Sequence, residues 1–200
     1  MTSAPGEMWD RRFAEQAWPT DPDPYLVELA DQLPLGRGLD LGSGPGRNSL
    51  WLALKGWEMT LVDASRVGLE QAAAAARSRS AEIATVVADL LAWDPAEGQY
   101  DLAIVANVHP GPDDLALVLD TAARSLRSGG HIYVVGHHVS NLGRHGPPDP
   151  IRLLTEERLR AALPGYLRLE TLETRDRSEH AAGIGGDSAP DAVVIAWATK

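Results

Sequence analysis

The sequence predicts an open α/β fold, a mostly parallel sheet with helices on both faces. Three observations carry that expectation. From residue 38 onward, apolar β-like runs alternate with segments of helical periodicity. The first run enters a glycine-rich turn, Asp40-Leu41-Gly42-Ser43-Gly44-Pro45-Gly46, which opens a helix. The chain ends with two β-like runs in succession, 166–175 and 191–199, joined by the Gly-, Ser- and charge-rich hairpin tip 176–190, which suits an antiparallel edge.

Residues 1–25 hold two Trp and four Pro among mixed charges and read as an arm laid on the body. Residues 26–33 have a helical apolar pattern, and Pro34 follows it. After the first strand and the glycine turn, 47–56 is a helix with Leu50 and Leu54 on one face and Gly56 as its stop. Residues 57–64 are β-like, and 65–80 form a helix with an alanine-rich middle. Residues 83–90 and 100–108 are further strands, the second rich enough in Val and Ile to be buried on both faces. The next helix has Asp113 as its cap, Leu115, Val118, Leu119, Ala122 and Leu126 at 3.6 spacing, and Gly129-Gly130 as its end. A fifth strand covers 131–139, breaker residues make 140–150 a loop, and Thr155 can cap a short helix over 155–163.

One domain of 200 residues accommodates all of this, at roughly 150 residues per domain. It divides into an arm or lid (1–25), a core (38–139) and a C-terminal part with an antiparallel edge (140–200). With 18 Lys and Arg against 28 Asp and Glu, the net charge is −10, which is unfavourable for nucleic acid or anionic membrane. Small molecules are the expected partners, and a monomer or homodimer the expected state. The absence of cysteine excludes disulfides, thiolate metal sites and thiol nucleophiles. The start lacks a basic, apolar secretion signal and no run is long enough to span a bilayer, so a cytoplasmic protein is expected.

The glycine turn departs from the dinucleotide fingerprint. After Gly42 and Gly44 the third position is Arg47, and Asp40 stands two places before the first glycine, where it would repel a pyrophosphate. An ammonium would find Asp40 attractive. Asp63, 21 residues after Gly42 at the end of the second strand, can hold both hydroxyls of a ribose. Asp89, followed by Leu90 at the end of the third, can accept from an adenine amine. As plain structure, Asp63 would be a helix cap and Asp89 a turn residue. Together the three acids describe a ligand with an ammonium, a ribose and an adenine but no phosphate, which is S-adenosyl-L-methionine.

With these residues in view, the chain resembles the class I S-adenosylmethionine-dependent methyltransferases. The nearer likeness is to the tellurite-resistance and thiopurine-methyltransferase-like group, through Gly44-Pro45-Gly46-Arg47-Asn48 and Trp9-Asp10-Arg11-Arg12-Phe13. The resemblance implies a Rossmann-like sheet of seven strands in the order 3-2-1-4-5-7-6 with the last strand antiparallel. It implies that Asp40, Gly42 and Gly44, with Ser43, Arg47 and Asn48 of the same turn, hold the amino-acid end of the cofactor. Asp63 with Ala64 would take the ribose, Asp89 with Leu90 the adenine, and Asn107 would lie near the methionine moiety. The expected activity is methyl transfer to a small acceptor through a thiol, a hydroxyl or a chalcogen oxyanion.

Candidate bases are His109, before the rigid Pro110, and one of His137 and His138, which period-2 alternation sends to opposite faces. A hydrogen-bonded structural histidine is an equal reading of His109 and the stronger reading of either member of the pair. His109, His137 and His145 match no metal-ligand spacing, so no metal is expected. Trp9, Arg12, Phe13 and Trp18 are candidate lid or substrate residues, and the alternative for them is core packing. Arg144 and His145 lie on the loop that could shape the acceptor pocket. Other readings are a non-catalytic cofactor-binding module and, less favoured, a nicotinamide-dependent oxidoreductase. Nucleic-acid methylation is weaker still, because Asn107-Val108-His109-Pro110 does not match the signature of those enzymes.

Overall fold

A computed structural model describes residues 4–177 and 191–200. The helices are α1 (Ala4–Glu15), α2 (Pro24–Ala30), α3 (Arg47–Lys55), α4 (Arg66–Ser78), α5 (Pro112–Ser125) and α6 (Glu156–Ala162). The strands are β1 (Arg37–Leu41), β2 (Glu58–Asp63), β3 (Ile83–Val87), β4 (Tyr100–Ala106), β5 (Leu126–His137), β6 (Arg168–Asp176) and β7 (Ala192–Thr199). They form a single seven-stranded sheet in the order β3-β2-β1-β4-β5-β7-β6. β7 runs antiparallel between β5 and β6, so β6 is one edge and β3 the other. The order and the antiparallel last strand are those expected. Most of the hairpin tip 176–190 lies outside the described residues.

The sheet buries an apolar cluster on each face. Leu39, Leu41, Leu115, Leu119 and Leu159 belong to one cluster, under α5 and α6. Leu26, Leu52, Leu61, Leu69 and Ile104 belong to the other, under α2, α3 and α4. With both faces covered, β4 is apolar along nearly its whole length.

Local chemistry accounts for several boundaries. Gly56 ends α3 at φ 104°, and Thr155 caps α6 by accepting from the Arg158 N–H at 3.2 Å. Others depart from expectation. Leu54 is exposed, and α3 instead turns Asn48, Ser49, Leu50 and Leu52 inward, because Ser49 is drawn to a buried carboxylate of β1. Gly111 rather than Asp113 is the cap of α5; Pro112 fits the first turn, where Asp113 and Asp114 face the helix dipole. Gly129-Gly130 does not end that helix, which gives way to β5 at Leu126. The 140–150 region is not all loop, since three-residue 3-10 turns at Val139–Asn141 and Pro150–Arg152 flank it and Asn141 is fully buried.

Gly46 sets the spacing between α3 and its neighbours. It lies at φ 78°, and a Cβ there would stand 2.8 Å from Leu61 Cδ2 and 2.9 Å from Ala72 Cβ. Gly46→Ala is therefore expected to cost about 2 kcal/mol or more, through left-handed strain and overpacking together. Urea denaturation checks this; a loss below about 0.5 kcal/mol would contradict it.

Candidate active site

The carboxyl ends of β1, β2 and β4 meet at the glycine turn, and β5 lies beside β4. Gly42, Gly44 and Gly46 all have positive φ. The turn is tied to β2 by Gly42 N–H to the Val62 carbonyl at 2.8 Å and by Gly44 N–H to Asp63 Oδ2 at 2.7 Å. A Cβ on Gly42 would meet Val108 Cγ2 at 2.5 Å, and one on Gly44 would meet Phe13 Cζ at 2.8 Å. The turn thus lies between the end of β4 and the N-terminal arm, with no room for side chains at these positions.

Asp40 is buried, and its Oδ2 accepts from the Ser49 hydroxyl at 2.6 Å. Its Oδ1 has no hydrogen-bond partner among the described residues, and neither do the buried Ser43 Oγ and Asn107 Oδ1. Burial pushes the Asp40 carboxyl up to about 7; the Ser49 hydrogen bond opposes this, and the nearby Asp63 charge adds to it. Asn107 sits just past β4 at φ 56°, a conformation Asn tolerates better than most residues.

Asp63 is also buried, which raises its pKa, and each of its oxygens meets the backbone: Oδ2 the Gly44 N–H, Oδ1 the Ser65 N–H at 2.7 Å. One lone pair per oxygen is left for a ligand. The cap of α4 is Ser65, which accepts from the Gly68 N–H, and half-buried Ala64 lies between the two. Asp89 accepts from the Leu91 N–H at 3.1 Å, as a turn residue does. Leu90 reaches across toward Gly42. Arg47 and Asn48 are turned the other way: the Arg47 guanidinium lies 3.7 Å from Asp23 Oδ2, and Asn48 Oδ1 accepts from the Asp23 N–H at 2.8 Å. They fasten the entry to α2, and the Arg47 charge is still near enough to Asp40 to favour its ionised form.

The arm is docked. Phe13 is buried, stacked on Trp9 at 5.4 Å and met edge-on by Trp18 at 5.0 Å. The Arg12 guanidinium lies 4.8 Å over the Trp9 ring. Sequence reasoning missed the latch: Asp10 Oδ1 accepts from the Ser65 hydroxyl at 2.6 Å and the Val67 N–H at 2.9 Å. The Ser65 hydrogen bond holds the Asp10 carboxyl below its usual pKa.

Sequence reasoning also missed a buried polar chain leading away from the turn. Asp23, fully buried, caps α2, accepts from the Tyr133 hydroxyl at 2.7 Å and pairs with Arg177 at 3.2 Å. Burial and the Asp23 charge keep the Tyr133 pKa well above its ordinary value. Arg177 continues to Asp191 at 2.8 Å, and Asp191 meets His137 Nδ1 at 3.2 Å and Asn141 Nδ2 at 2.8 Å. Burial raises the Asp191 pKa, but the His137 hydrogen bond and the Arg177 guanidinium outweigh it and hold the carboxyl well below the usual range. Only Asp23 had a local signal, an Asp immediately before a Pro at a helix start.

The three histidines named from sequence do come together as a stack: His109 on His137 at 5.5 Å, and His137 on His145 at 6.4 Å. Their roles differ. His109 Nδ1 lies 2.9 Å from the Arg152 carbonyl, and Nε2 accepts from the His137 N–H at 3.3 Å. Burial pushes its pKa down to about 4. Both nitrogens are thus engaged by backbone groups. His138 caps the turn at Val139–Asn141, and Arg144 folds back on the Ser140 carbonyl. Among the described residues no three His, Asp or Glu side chains are arranged to hold a metal. No described helix is long and apolar enough to cross a membrane.

Comparison with known proteins agrees with this architecture. A family model described as a methyltransferase domain matches residues 39–130. Among curated proteins none matches the chain. Solved structures similar to it include one described under the conversion of a disulfide bond into a thioacetal group during echinomycin biosynthesis (TM-score 0.79, 19% identity, covering 98% of this chain and 92% of that one). Another is the N-methyltransferase NodS from Bradyrhizobium japonicum in complex with S-adenosyl-L-homocysteine (0.70, 18%, 99% of each chain). TehB from Haemophilus influenzae also matches (0.68, 17%, 98% of this chain and 66% of that one). At these identities the likeness is one of fold.

Proposed function

We propose that this chain is an S-adenosylmethionine-dependent methyltransferase acting on a small-molecule acceptor through a thiol, a hydroxyl or a chalcogen oxyanion. The observation that carries the reading is the trio of buried, unpartnered atoms, Asp40 Oδ1, Ser43 Oγ and Asn107 Oδ1, at the ends of β1 and β4. Leaving such atoms unpaired costs about 1–3 kcal/mol each, and a ligand that completes them recovers it. A carboxylate oxygen, an amide oxygen and a hydroxyl can all accept from an ammonium, the group S-adenosylmethionine carries at its amino-acid end. A pyrophosphate would meet the Asp40 charge instead, which disfavours a nicotinamide dinucleotide. The spare lone pairs of Asp63 suit ribose hydroxyls, and half-buried Asp89 suits the adenine amine. The matched methyltransferase model and the S-adenosyl-L-homocysteine held by NodS support the same reading.

When bound, the cofactor supplies a methyl group made electrophilic by its sulfonium. The protein's contribution is to hold and orient, which in well-aligned intramolecular reactions is worth about 7–11 kcal/mol. Gly42 and Gly44 let Val108 and Phe13 pack directly on the turn, and α1, latched through Asp10, covers it. In this reading the partners are small molecules, and the enzyme works in the cytoplasm as a monomer or homodimer.

Calorimetric titration with S-adenosylhomocysteine is expected to show binding, weakened at least about tenfold in Asp63→Ala by loss of charge-assisted hydrogen bonds. No heat and no thermal shift at millimolar ligand would defeat the reading, and unchanged affinity in Asp63→Ala would defeat the ribose assignment.

A further inference from the structure

We propose that His137 is the proton acceptor of the reaction and Asp191 its positioning residue. The methyl acceptor is then one whose attacking atom arrives protonated, a hydroxyl or thiol, and not an oxyanion. The inference rests on the methyl-transfer reading above and narrows it.

The placement comes from strand register. β4 and β5 pair with Ala106 opposite Val135, so His137 at the end of β5 lies beside the residues just past β4. Those are Asn107, with its unpartnered amide oxygen, and Val108, which touches the glycine turn. The imidazole therefore stands on the same sheet edge, one strand from the proposed cofactor end.

Its orientation is fixed from several sides. The ring is held between those of His109 and His145, and Gly146 lies so close that a Cβ there would be 2.9 Å from His137 Cγ and Cδ2. Nδ1 faces Asp191 Oδ1 at 3.2 Å and Asn141 Nδ2 at 3.3 Å; the two Asn141 amide hydrogens are directed at Asp191 Oδ1 and the Ala192 carbonyl, each at 2.8 Å, which leaves Nδ1 to donate to Asp191. Asp191 cannot turn away, because Arg177 grips its other oxygen at 3.0 and 2.8 Å and Asn141 donates to Oδ1 at 2.8 Å. An ionised, immobilised carboxylate at Nδ1 places the proton there and leaves the Nε2 lone pair free to accept. The groups facing the ring are then His109, His145, Asn141 and Asp191, with Arg177 behind Asp191.

The contrast with His109 decides the assignment. A histidine that only braces the fold uses both nitrogens, as His109 does with the Arg152 carbonyl and the His137 N–H. His137 has no hydrogen bond at Nε2 among the described residues. In the transfer, the acceptor's electron pair forms the bond to the methyl carbon, and the carbon–sulfur pair leaves with sulfur. The proton on the attacking atom passes to Nε2, so charge and atoms balance with no further reagent.

The test compares the native chain with His137→Gln and Asp191→Asn, using labelled S-adenosylmethionine and three probe acceptors: catechol, 2-mercaptoethanol and tellurite. S-adenosylhomocysteine affinity is expected to stay within threefold in both variants. Transfer to catechol or the thiol should fall about 100-fold in His137→Gln at pH 7. That loss should shrink as pH rises and the acceptor ionises unaided. Asp191→Asn should lose about tenfold and shift the acidic limb of the rate profile. Unchanged rates and pH profile in His137→Gln, transfer to tellurite alone, or no transfer to either protic probe while S-adenosylhomocysteine still binds would overturn the assignment. Failure of the native chain to bind S-adenosylhomocysteine would instead overturn the methyltransferase reading.

Discussion

An Asp40→Asn variant is expected to bind S-adenosylhomocysteine roughly 10- to 100-fold more weakly than the native chain while resisting urea better at pH 8. The loss in binding is that of one charge-assisted hydrogen bond to the ligand ammonium. The gain in stability follows from burial. The folded state lifts the Asp40 carboxyl from 3.8 to about 7 because the ionised form is desolvated. Between those values the native chain keeps a proton that the unfolded chain has released, so native stability falls as pH rises through the window. Asparagine has no proton to lose. The difference between variant and native chain should therefore be near zero below pH 4, grow up to about pH 7, and level off at roughly 2–4 kcal/mol. Ligand binding has the complementary signature: below pH 7 it should release a proton, seen as a heat that depends on the buffer. A flat stability difference across pH 4 to 8 would contradict the burial of this charge.

The second large effect is expected at Asp23, which no ligand need touch. Asp23→Ala leaves Arg177 and Arg47 without a shared carboxylate, the Tyr133 hydroxyl without an acceptor, and α2 without its cap. Removing one partner of a buried ionic cluster costs about 3–5 kcal/mol, since the remaining charges stay buried. For a chain of this size that is on the order of a 10 °C fall in Tm. Tyr133→Phe should cost only about 1 kcal/mol, because it removes a neutral donor from a carboxylate that keeps its guanidinium partners. Thermal and urea unfolding of the two variants test the ranking, and an Asp23→Ala as mild as Tyr133→Phe would show that the cluster contributes little. Because Arg177 also grips Asp191, loss of Asp23 should also loosen the orientation of His137.

Where a site depends on local geometry, its residues could be read directly. A strand entering Gly42-Ser43-Gly44-Pro45-Gly46 and leaving as a helix needs positive φ at set positions, and only glycine supplies it there without strain. Asp40, Asp63 and Asp89 were recognisable for the same reason, as acids at the ends of short apolar runs. Periodicity failed where a tertiary partner outweighed it. Leu54 has the right spacing to Leu50, but the Ser49 to Asp40 bond rotates α3 so that Leu52 is buried instead. The helix that begins near residue 112 ends early because β5 needs its residues from Leu126 onward to pair with β4 and β7.

The sequence by itself determined the alternating α/β plan, the glycine turn and the three acids that suit a cationic nucleoside ligand, because each is written within a few neighbouring residues. Only the tertiary structure decided which histidine has both nitrogens engaged and which has one to spare, and that Arg47 and Asn48 bond to Asp23 before α2. The partners that settle those roles are far apart in the chain: 154 residues separate Asp23 from Arg177, and 54 separate His137 from Asp191. They become neighbours only because β7 returns antiparallel between β5 and β6, which brings the end of β6 and the start of β7 beside the end of β5.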